Sequence, residues 1–318
     1  MIEVKVVTLR LEAEGIVGIE LRAADSSPLP PFEPGAHIDV HLPGEKTRQY
    51  SLCNDASDTS LYRLGVGRSA TSRGGSAYIH ENLRLGDRLT ISEPRTLFRL
   101  SPEADRHRFI AGGIGITPIL AMIRWCVHHE RPWELHYCVR SRSHAAYVDE
   151  LRSFGGSVHL YVDDEEQARI PRDVGMMMRN MDAGEHVYCC GPGGLMDAVA
   201  AHGEQAGLPP ERIHFERFAA PPAETRVHEN GSFSIVLARS GLRCVVKPEE
   251  SILECLERHG VQAVSSCREG LCRSCEVALL SGEADHRDYV LGADEQEANK
   301  SLMICVSRAR SSELVIDL

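Results

Sequence analysis

Apolar and polar residues alternate at Ile2-Val4-Val6 and again at Ile38-Val40-Leu42, with the turn-forming runs PLPPFEPGAH and LRLGDRL around the second stretch. A period of two punctuated by Pro and Gly predicts antiparallel strands, and the first hundred residues read as a small β-barrel. The pattern changes at Arg108. There Phe109-Ile110-Ala111 predicts a short strand running into Gly112-Gly113-Ile114-Gly115-Ile116-Thr117-Pro118, after which Ile116, Ile119, Leu120, Ile123 and Val127 recur at helical spacing. Thr117 is expected to cap this helix and Pro118 to take its first position. The strand signal returns at residues 135–139 and 186–190, the latter ending in Gly191-Pro192-Gly193-Gly194. Strands alternating with helices predict a parallel sheet whose C-terminal edge collects these loops.

Polar motifs interrupt both patterns. In Arg48-Gln49-Tyr50-Ser51, alternation puts Arg48 and Tyr50 on one face, where a guanidinium can pair with phosphate and a ring can lie on a flat heterocycle; Ser51 points elsewhere with a free hydroxyl. Ser72-Arg73-Gly74-Gly75-Ser76 offers backbone amides beside an Arg, which suits phosphate oxygens, although the same residues also make an ordinary turn. The strand, glycine turn and helix start around residues 109–118 form an anion cradle. Pro118 stands where the third glycine of the common dinucleotide fingerprint falls.

Near the C-terminus Cys267, Cys272, Cys275 and Cys305 follow the order C-x4-C-x2-C and then, after 29 residues, C. This is the spacing of plant-type [2Fe-2S] sites: a short loop aims three thiolates inward and a distant segment returns with the fourth. Gly270 gives that loop a residue tolerant of positive φ. Zinc is the rival ligand, but zinc sites usually present two C-x2-C hooks, and only Cys272 and Cys275 form one here.

The chain's 318 residues exceed one ordinary core, and three domains are expected: 1–102, 103–222 and 228–318. Ala219-Ala220-Pro221-Pro222-Ala223-Glu224 reads as a linker. With 46 acidic and 35 basic residues the net charge is -11, which argues against nucleic acid or anionic membranes as partners. The opening sequence lacks a signal-peptide pattern and no apolar run reaches membrane-spanning length, so a reducing cytoplasm is expected, with Cys53, Cys126, Cys138, Cys189, Cys244 and Cys255 as small core residues.

Taken in order, RQYSLCND, SRGGS, EPRTLFRL, GGIGITP, HVYCCGP, HFERF, the cysteine loop and GEADHRD resemble the phthalate dioxygenase reductase family, the flavin-dependent reductase components of two-component Rieske oxygenases. The resemblance covers essentially the whole chain. It implies a flavin-binding antiparallel β-barrel, a parallel-sheet nucleotide-binding α/β domain of ferredoxin-reductase type and a C-terminal β-grasp ferredoxin domain. It also implies FMN, NADH and a [2Fe-2S] cluster as cofactors, with single electrons passed to a Rieske-type oxygenase. Arg48, Gln49, Tyr50, Ser51 and Val66 would hold the flavin, with Ser51 at its reactive edge, and Arg73, Gly74, Gly75 and Ser76 its phosphate. Gly113, Gly115, Thr117, Pro118 and Arg140 would face the nicotinamide nucleotide. Cys190, Gly191 and Pro192 would approach its ring, Ser51 and Cys190 acting at the reacting centre. Phe218 would cover the flavin or serve as a core residue.

Two departures from the family pattern carry expectations of their own. Arg273 stands where a glycine is usual, so its cation would raise the cluster potential, steer an acidic partner, or simply be solvated. Arg140-Ser141-Arg142-Ser143 has no acid to bond a ribose hydroxyl and would also suit a 2′-phosphate, which keeps NADPH as an alternative donor. Two further readings remain: a stand-alone flavin reductase serving small acceptors, and a zinc-holding binding module.

Overall fold

The computed structural model describes residues 1–44, 46–69, 74–164, 174–220 and 230–318. They divide into two compact units, Met1–Arg217 and Phe218–Leu318.

The first unit opens with a seven-stranded antiparallel sheet. Its order is Lys46–Ser51, Ala36–Leu42, Arg88–Ile91, Ile2–Ala13, Ile16–Ala23, Tyr62–Gly67, with Arg95–Thr96 paired to Ala36–Leu42. A bridge between Leu52 and Leu64 joins the two ends of that path, so the sheet closes and leaves no long open edge. The alternation seen in the sequence turns Val4, Val6, Ile38, Val40 and Leu42 into one core with Ile19, Leu21 and Leu64.

The same unit continues into a five-stranded parallel sheet, ordered Ser157–Val162, Trp133–Val139, Arg106–Gly112, Glu185–Cys190, Ile213–Glu216. Chain order reverses between Arg106–Gly112 and Glu185–Cys190, and their C-terminal ends carry the two glycine loops, the place where open α/β sheets bind ligands. Helix Ile116–His128 covers one face through Ile116, Ile119, Leu120, Ile123 and Cys126; helix Gly193–Gln205 covers the other through Leu195, Met196 and Val199. Three details depart from expectation. Val127 is 39% exposed, the apolar stripe running through Cys126 instead. Thr117 does not cap the helix: Gly115 is the capping residue, and Thr117 Oγ1 donates to the Ile114 carbonyl at 3.0 Å. Pro118 is the third helical residue, still inside the first turn where no backbone N–H is required.

Buried charge ties this sheet together. Arg108 Nε donates to Glu185 Oε1 at 2.8 Å, and its Nη1 donates to the carbonyls of Met177 and Arg179, so a fully buried carboxylate is neutralised inside the core. A second arginine joins barrel to sheet: Arg63 pairs with Glu12 at 3.1 Å and Glu150 at 3.0 Å while lying over the Tyr147 ring.

In the second unit the sheet order is Arg243–Val246, Phe233–Leu237, Glu313–Ile316, Glu276–Ser281, Ser301–Met303. Phe233–Leu237 and Glu313–Ile316 are parallel and the other pairs antiparallel. Helix Ile252–Arg258 packs on this sheet through Ile252, Leu253, Cys255 and Leu256, and a Ser251–Glu254 capping box fixes its start. A mixed sheet grasping one helix is the β-grasp architecture expected of this segment. No described helix is long and apolar enough to cross a membrane.

Candidate functional site

The cysteine loop folds around its own sulfurs. Its backbone enters the left-handed region at Arg268, Gly270 and Arg273, with φ of +58°, +70° and +56°. This winding aims amides inward: Glu269 N–H and Leu271 N–H donate to Cys267 Sγ at 3.3 and 3.4 Å. Gly270 meets the expectation set for it. A Cβ there would lie 2.7 Å from the Val306 side chain and 3.0 Å from Asp288 Cα, and Tyr289 N–H donates to the Gly270 carbonyl. The segment that includes Asp285, His286, Arg287 and Asp288 is thus the floor on which the loop sits.

Cys272, Cys275 and Cys305 are buried and Cys267 is half-buried. Hydrogen bonding from Cys267 lowers the Cys272 thiol, and bonding from Cys305 lowers that of Cys275, so the four sulfurs meet as two pairs. Four thiols, inward amides and a glycine cradle fit a [2Fe-2S] cluster. Cys53, Cys126, Cys138, Cys189, Cys244 and Cys255 are buried, as expected. Cys244, Cys255 and His259 bring one ligand atom each within 4.8 Å of one another, and Arg258 donates to Cys255 Sγ at 3.4 Å.

Arg273 is not simply solvated. Its guanidinium holds both oxygens of Glu276, at 2.9 and 3.1 Å, and reaches Glu295 at 2.7 Å.

In the first unit, the structure brings together motifs that are separate in sequence. A Cβ on Gly75 would meet Arg48 Cγ at 2.4 Å, and one on Gly74 would meet Lys46 Cε at 3.0 Å. Arg48, Lys46 and residues Gly74, Gly75 and Ser76 therefore form one cationic corner, with Gly74 in the left-handed region at φ +86° before helix Gly75–Glu81. Arg73 lies outside the described residues. Ser76 Oγ accepts from Ser69 N–H, and Gln49 donates to Asp39 at 3.1 Å. Burial pushes the Tyr50 hydroxyl up to about 12. Val66 turns its side chain into the barrel core, and its carbonyl is bound by His80 at 2.9 Å.

Ser51 does not have a free hydroxyl. It donates to Glu216 Oε2 at 3.3 Å, joining the end of a barrel strand to the end of the last parallel strand. Burial pushes the Glu216 carboxyl up to about 8, with the Ser51 hydrogen bond opposing in part. Glu216 is the site residue missed in the sequence; its only trace was the HFERF string. Cys190, next to it, is buried with a thiol raised well above its ordinary range by desolvation first and the Glu216 charge second.

Around these groups the glycine loops interlock. A Cβ on Gly115 would lie 2.2 Å from the Cys190 carbonyl oxygen, and one on Gly112 would lie 2.4 Å from Pro192 Cδ and 3.2 Å from Gly191 Cα. Gly65 touches Thr117 and Tyr147 in the same way. By contrast, Gly113, at φ +54°, has open space before it, as do Gly193 and Gly194. Tight backbone behind and open space in front fit a nucleotide. The Tyr147 hydroxyl there is buried with no described partner. Pro118 is buried and Arg140 exposed. The Arg140 carbonyl accepts from Asp164 N–H at 3.1 Å and that of Val139 from Asp163 N–H at 3.0 Å, so two acidic residues follow the neighbouring strand beside the end of the second. Phe218 is 46% exposed, which rules out a core role, and opens the second unit. Residues 221–224 of the expected linker lie outside the described residues.

Comparison with known proteins bears on the whole chain. Residues 235–310 match the 2Fe-2S iron-sulfur cluster binding domain, and residues 91–213 match the N-terminal domain of dimethylamine monooxygenase subunit DmmA-like proteins. The chain is 40% identical over 320 residues to a vanillate O-demethylase oxidoreductase of a Pseudomonas species, covering 100% of both chains. It is 42% identical over 306 residues to the phenoxybenzoate dioxygenase subunit beta of Ectopseudomonas oleovorans, covering 96% of this chain and 94% of that one. Among solved structures, phthalate dioxygenase reductase, described as modular for electron transfer from pyridine nucleotides to [2Fe-2S], aligns at TM-score 0.72 and 38% identity over 99% of this chain and 97% of that one. An intact type IV self-sufficient cytochrome P450 monooxygenase aligns at TM-score 0.90 and 38% identity over 100% of this chain; the chain spans 41% of its length.

Proposed function

We propose, for a chain that belongs to the family of reductase subunits of oxygenase systems, a relay in which NADH is the donor and an oxygenase of Rieske type the acceptor. The chain is an oxidoreductase, and its task is to supply an oxygenase partner with electrons. We read residues 1–102 as the FMN module, 103–222 as the nucleotide module and 228–318 as the cluster module. When bound, the three groups turn a two-electron donor into single-electron delivery.

The observation that carries the reading is the Ser51–Glu216 contact beside Cys190, at the sheet edge where Gly113, Gly193 and Gly194 leave open space. Arg48, Lys46 and the Gly74–Ser76 turn supply cation and amides for the flavin phosphate, with Arg73 next in sequence; Gln49 and Tyr50 line the ring, and Val66 packs behind it in the barrel core. Gly113, Gly115, Thr117, Pro118 and Arg140 receive the nucleotide, while Cys190, Gly191 and Pro192 wall its nicotinamide end. Ser51 and Glu216 can hold or move a proton at the reacting edge, because a carboxyl near 8 is part-protonated at neutral pH. Cys267, Cys272, Cys275 and Cys305 hold the cluster. Asp163 and Asp164 beside Arg140 favour a ribose hydroxyl over a 2′-phosphate and hence NADH. We assign the protein to the cytoplasm, a compartment that keeps its free thiols reduced.

The test is anaerobic titration of the purified protein with NADH and, separately, NADPH, followed by visible absorbance and electron paramagnetic resonance. Reduction of both flavin and cluster supports the relay. Flavin bleaching with no reduced-cluster signal reassigns the cysteines and leaves a stand-alone flavin reductase.

A further inference from the structure

Arg273 stands between Cys272 and Cys275 with its backbone at φ +56°, a conformation natural to glycine and strained for any residue with a Cβ. Its side chain, 29% exposed, is committed on both ends. Nε and Nη2 grip Glu276 through two hydrogen bonds, and Nη2 also reaches Glu295 Oε1. Glu276 opens strand Glu276–Ser281, and its Oε1 accepts from Ser301 Oγ at 2.6 Å. Ser301 opens strand Ser301–Met303, which pairs with Glu276–Ser281 and leads directly to Cys305. Glu295 lies in the first turn of helix Ala293–Ala298, and its Oε2 accepts from Gly292 N–H at 2.9 Å. One guanidinium therefore connects the loop that bears three sulfurs with the strand leading to the fourth and with the helix preceding that strand.

We propose that Arg273 is a positioning residue: its ion-pair clamp holds the three-cysteine loop against the segment bearing Cys305, and so retains the cluster. The inference rests on the reading of the four cysteines as cluster ligands. It departs from a docking or potential-tuning role because two carboxylates balance the Arg273 charge. A bidentate pair with a second carboxylate and a hydroxyl forms a network, in contrast to an isolated surface pair that contributes little.

The backbone makes the test sharp. Arg273→Gly removes the strain, so without the clamp the variant would hold its cluster at least as well as the parent. The experiment uses the full chain with its iron and acid-labile sulfide first quantified, and follows loss of visible cluster absorbance under an iron chelator. With the clamp in place, Arg273→Gly releases iron roughly fivefold faster, and Arg273→Lys, a point charge unable to bridge both carboxylates, falls between. Raising salt from about 0.05 to about 0.5 M speeds release in the parent and has little effect in Arg273→Gly, because screening weakens an ion pair that the variant lacks. A parallel salt response in both proteins, or release from Arg273→Gly no faster than from the parent, overturns the proposal. Should Arg273→Gly purify without cluster, Glu295→Gln decides: faster release with a weaker salt response supports the clamp, and parent-like release overturns it. Absence of iron and sulfide from the parent itself defeats the reading of the cysteines instead.

Discussion

The Ser51 hydroxyl of the barrel and the Glu216 carboxylate of the parallel sheet meet at 3.3 Å across 165 residues of chain. Each lies at the end of its strand, so the contact marks where the two sheets present their working edges to one another. Glu216 is held near 8 by burial, which leaves its proton exchangeable in the neutral range.

Flavin reduction by NADH is therefore expected to depend on pH with a midpoint near 8, and Glu216→Gln is expected to flatten that profile. Stability follows the same linkage. The folded pKa lies above the ordinary 4.5, so the group's contribution is full below 4.5 and is lost as pH rises through about 8. Thermal melts between about pH 6 and about pH 9 should show a smaller drop in Glu216→Gln than in the parent. Equal drops and an unchanged rate profile would remove Glu216 from the mechanism.

Cys272→Ser is expected to stop electron delivery to an oxygenase while NADH still bleaches the flavin, since the residues proposed for donor and flavin, Phe218 apart, belong to the first unit. Stopped-flow absorbance beside partner turnover checks this. Turnover surviving in the variant contradicts the relay.

The parts legible in sequence were those whose chemistry is local. Cysteine spacing reveals a cluster loop because the ligands must sit within a few residues of one another, and Gly270 was readable because a tight loop needs positive φ. The barrel was readable from alternation at Ile38, Val40 and Leu42. What escaped was contributed by distant partners. Glu216 sits on a four-residue edge strand too short to show a period, and nothing near Arg273 in sequence announces Glu295. Thr117 was misplaced because helix Ile116–His128 caps on Gly115, two residues earlier, and Val127 falls in its last turn, where it is exposed.

Gly115→Ala is expected to cost about 1–3 kcal/mol, because the new methyl would press on the Cys190 carbonyl, backbone that cannot swing aside. Urea denaturation measures the loss. A raised KM for NADH should accompany it, since the two glycine loops would move apart where the nucleotide enters.

Arg108→Met removes the arginine bonded to the fully buried Glu185 at 2.8 Å and leaves it only Arg106 at 3.8 Å and the Asp182 amide, with an expected penalty of about 3–5 kcal/mol. Arg108→Met combined with Glu185→Met should recover most of that loss, because an apolar pair of similar volume avoids desolvating either ion. Equal stability of single and double variants would mean that Glu185 finds its proton or its donors elsewhere.

Donor choice is expected to turn on the edge where Asp164 meets Arg140. The loop Arg140-Ser141-Arg142-Ser143 alone suggests a phosphate site, yet its hydroxyls are already engaged: Ser141 bonds His144 at 2.7 Å, and Ser143 donates to Glu14 at 2.7 Å. The Asp164 amide binds the Arg140 carbonyl, which fixes a carboxylate-bearing residue beside the exposed arginine. A 2′-phosphate there would meet that negative charge, whereas a 2′-hydroxyl can donate to it. Asp164→Asn is thus expected to raise kcat/KM for NADPH by roughly fivefold and to lower that for NADH by less, since one like charge removed near a surface site is worth about 1 kcal/mol. Steady-state kinetics with both donors decides the matter, and an unchanged NADPH to NADH ratio would shift the choice of donor away from this edge.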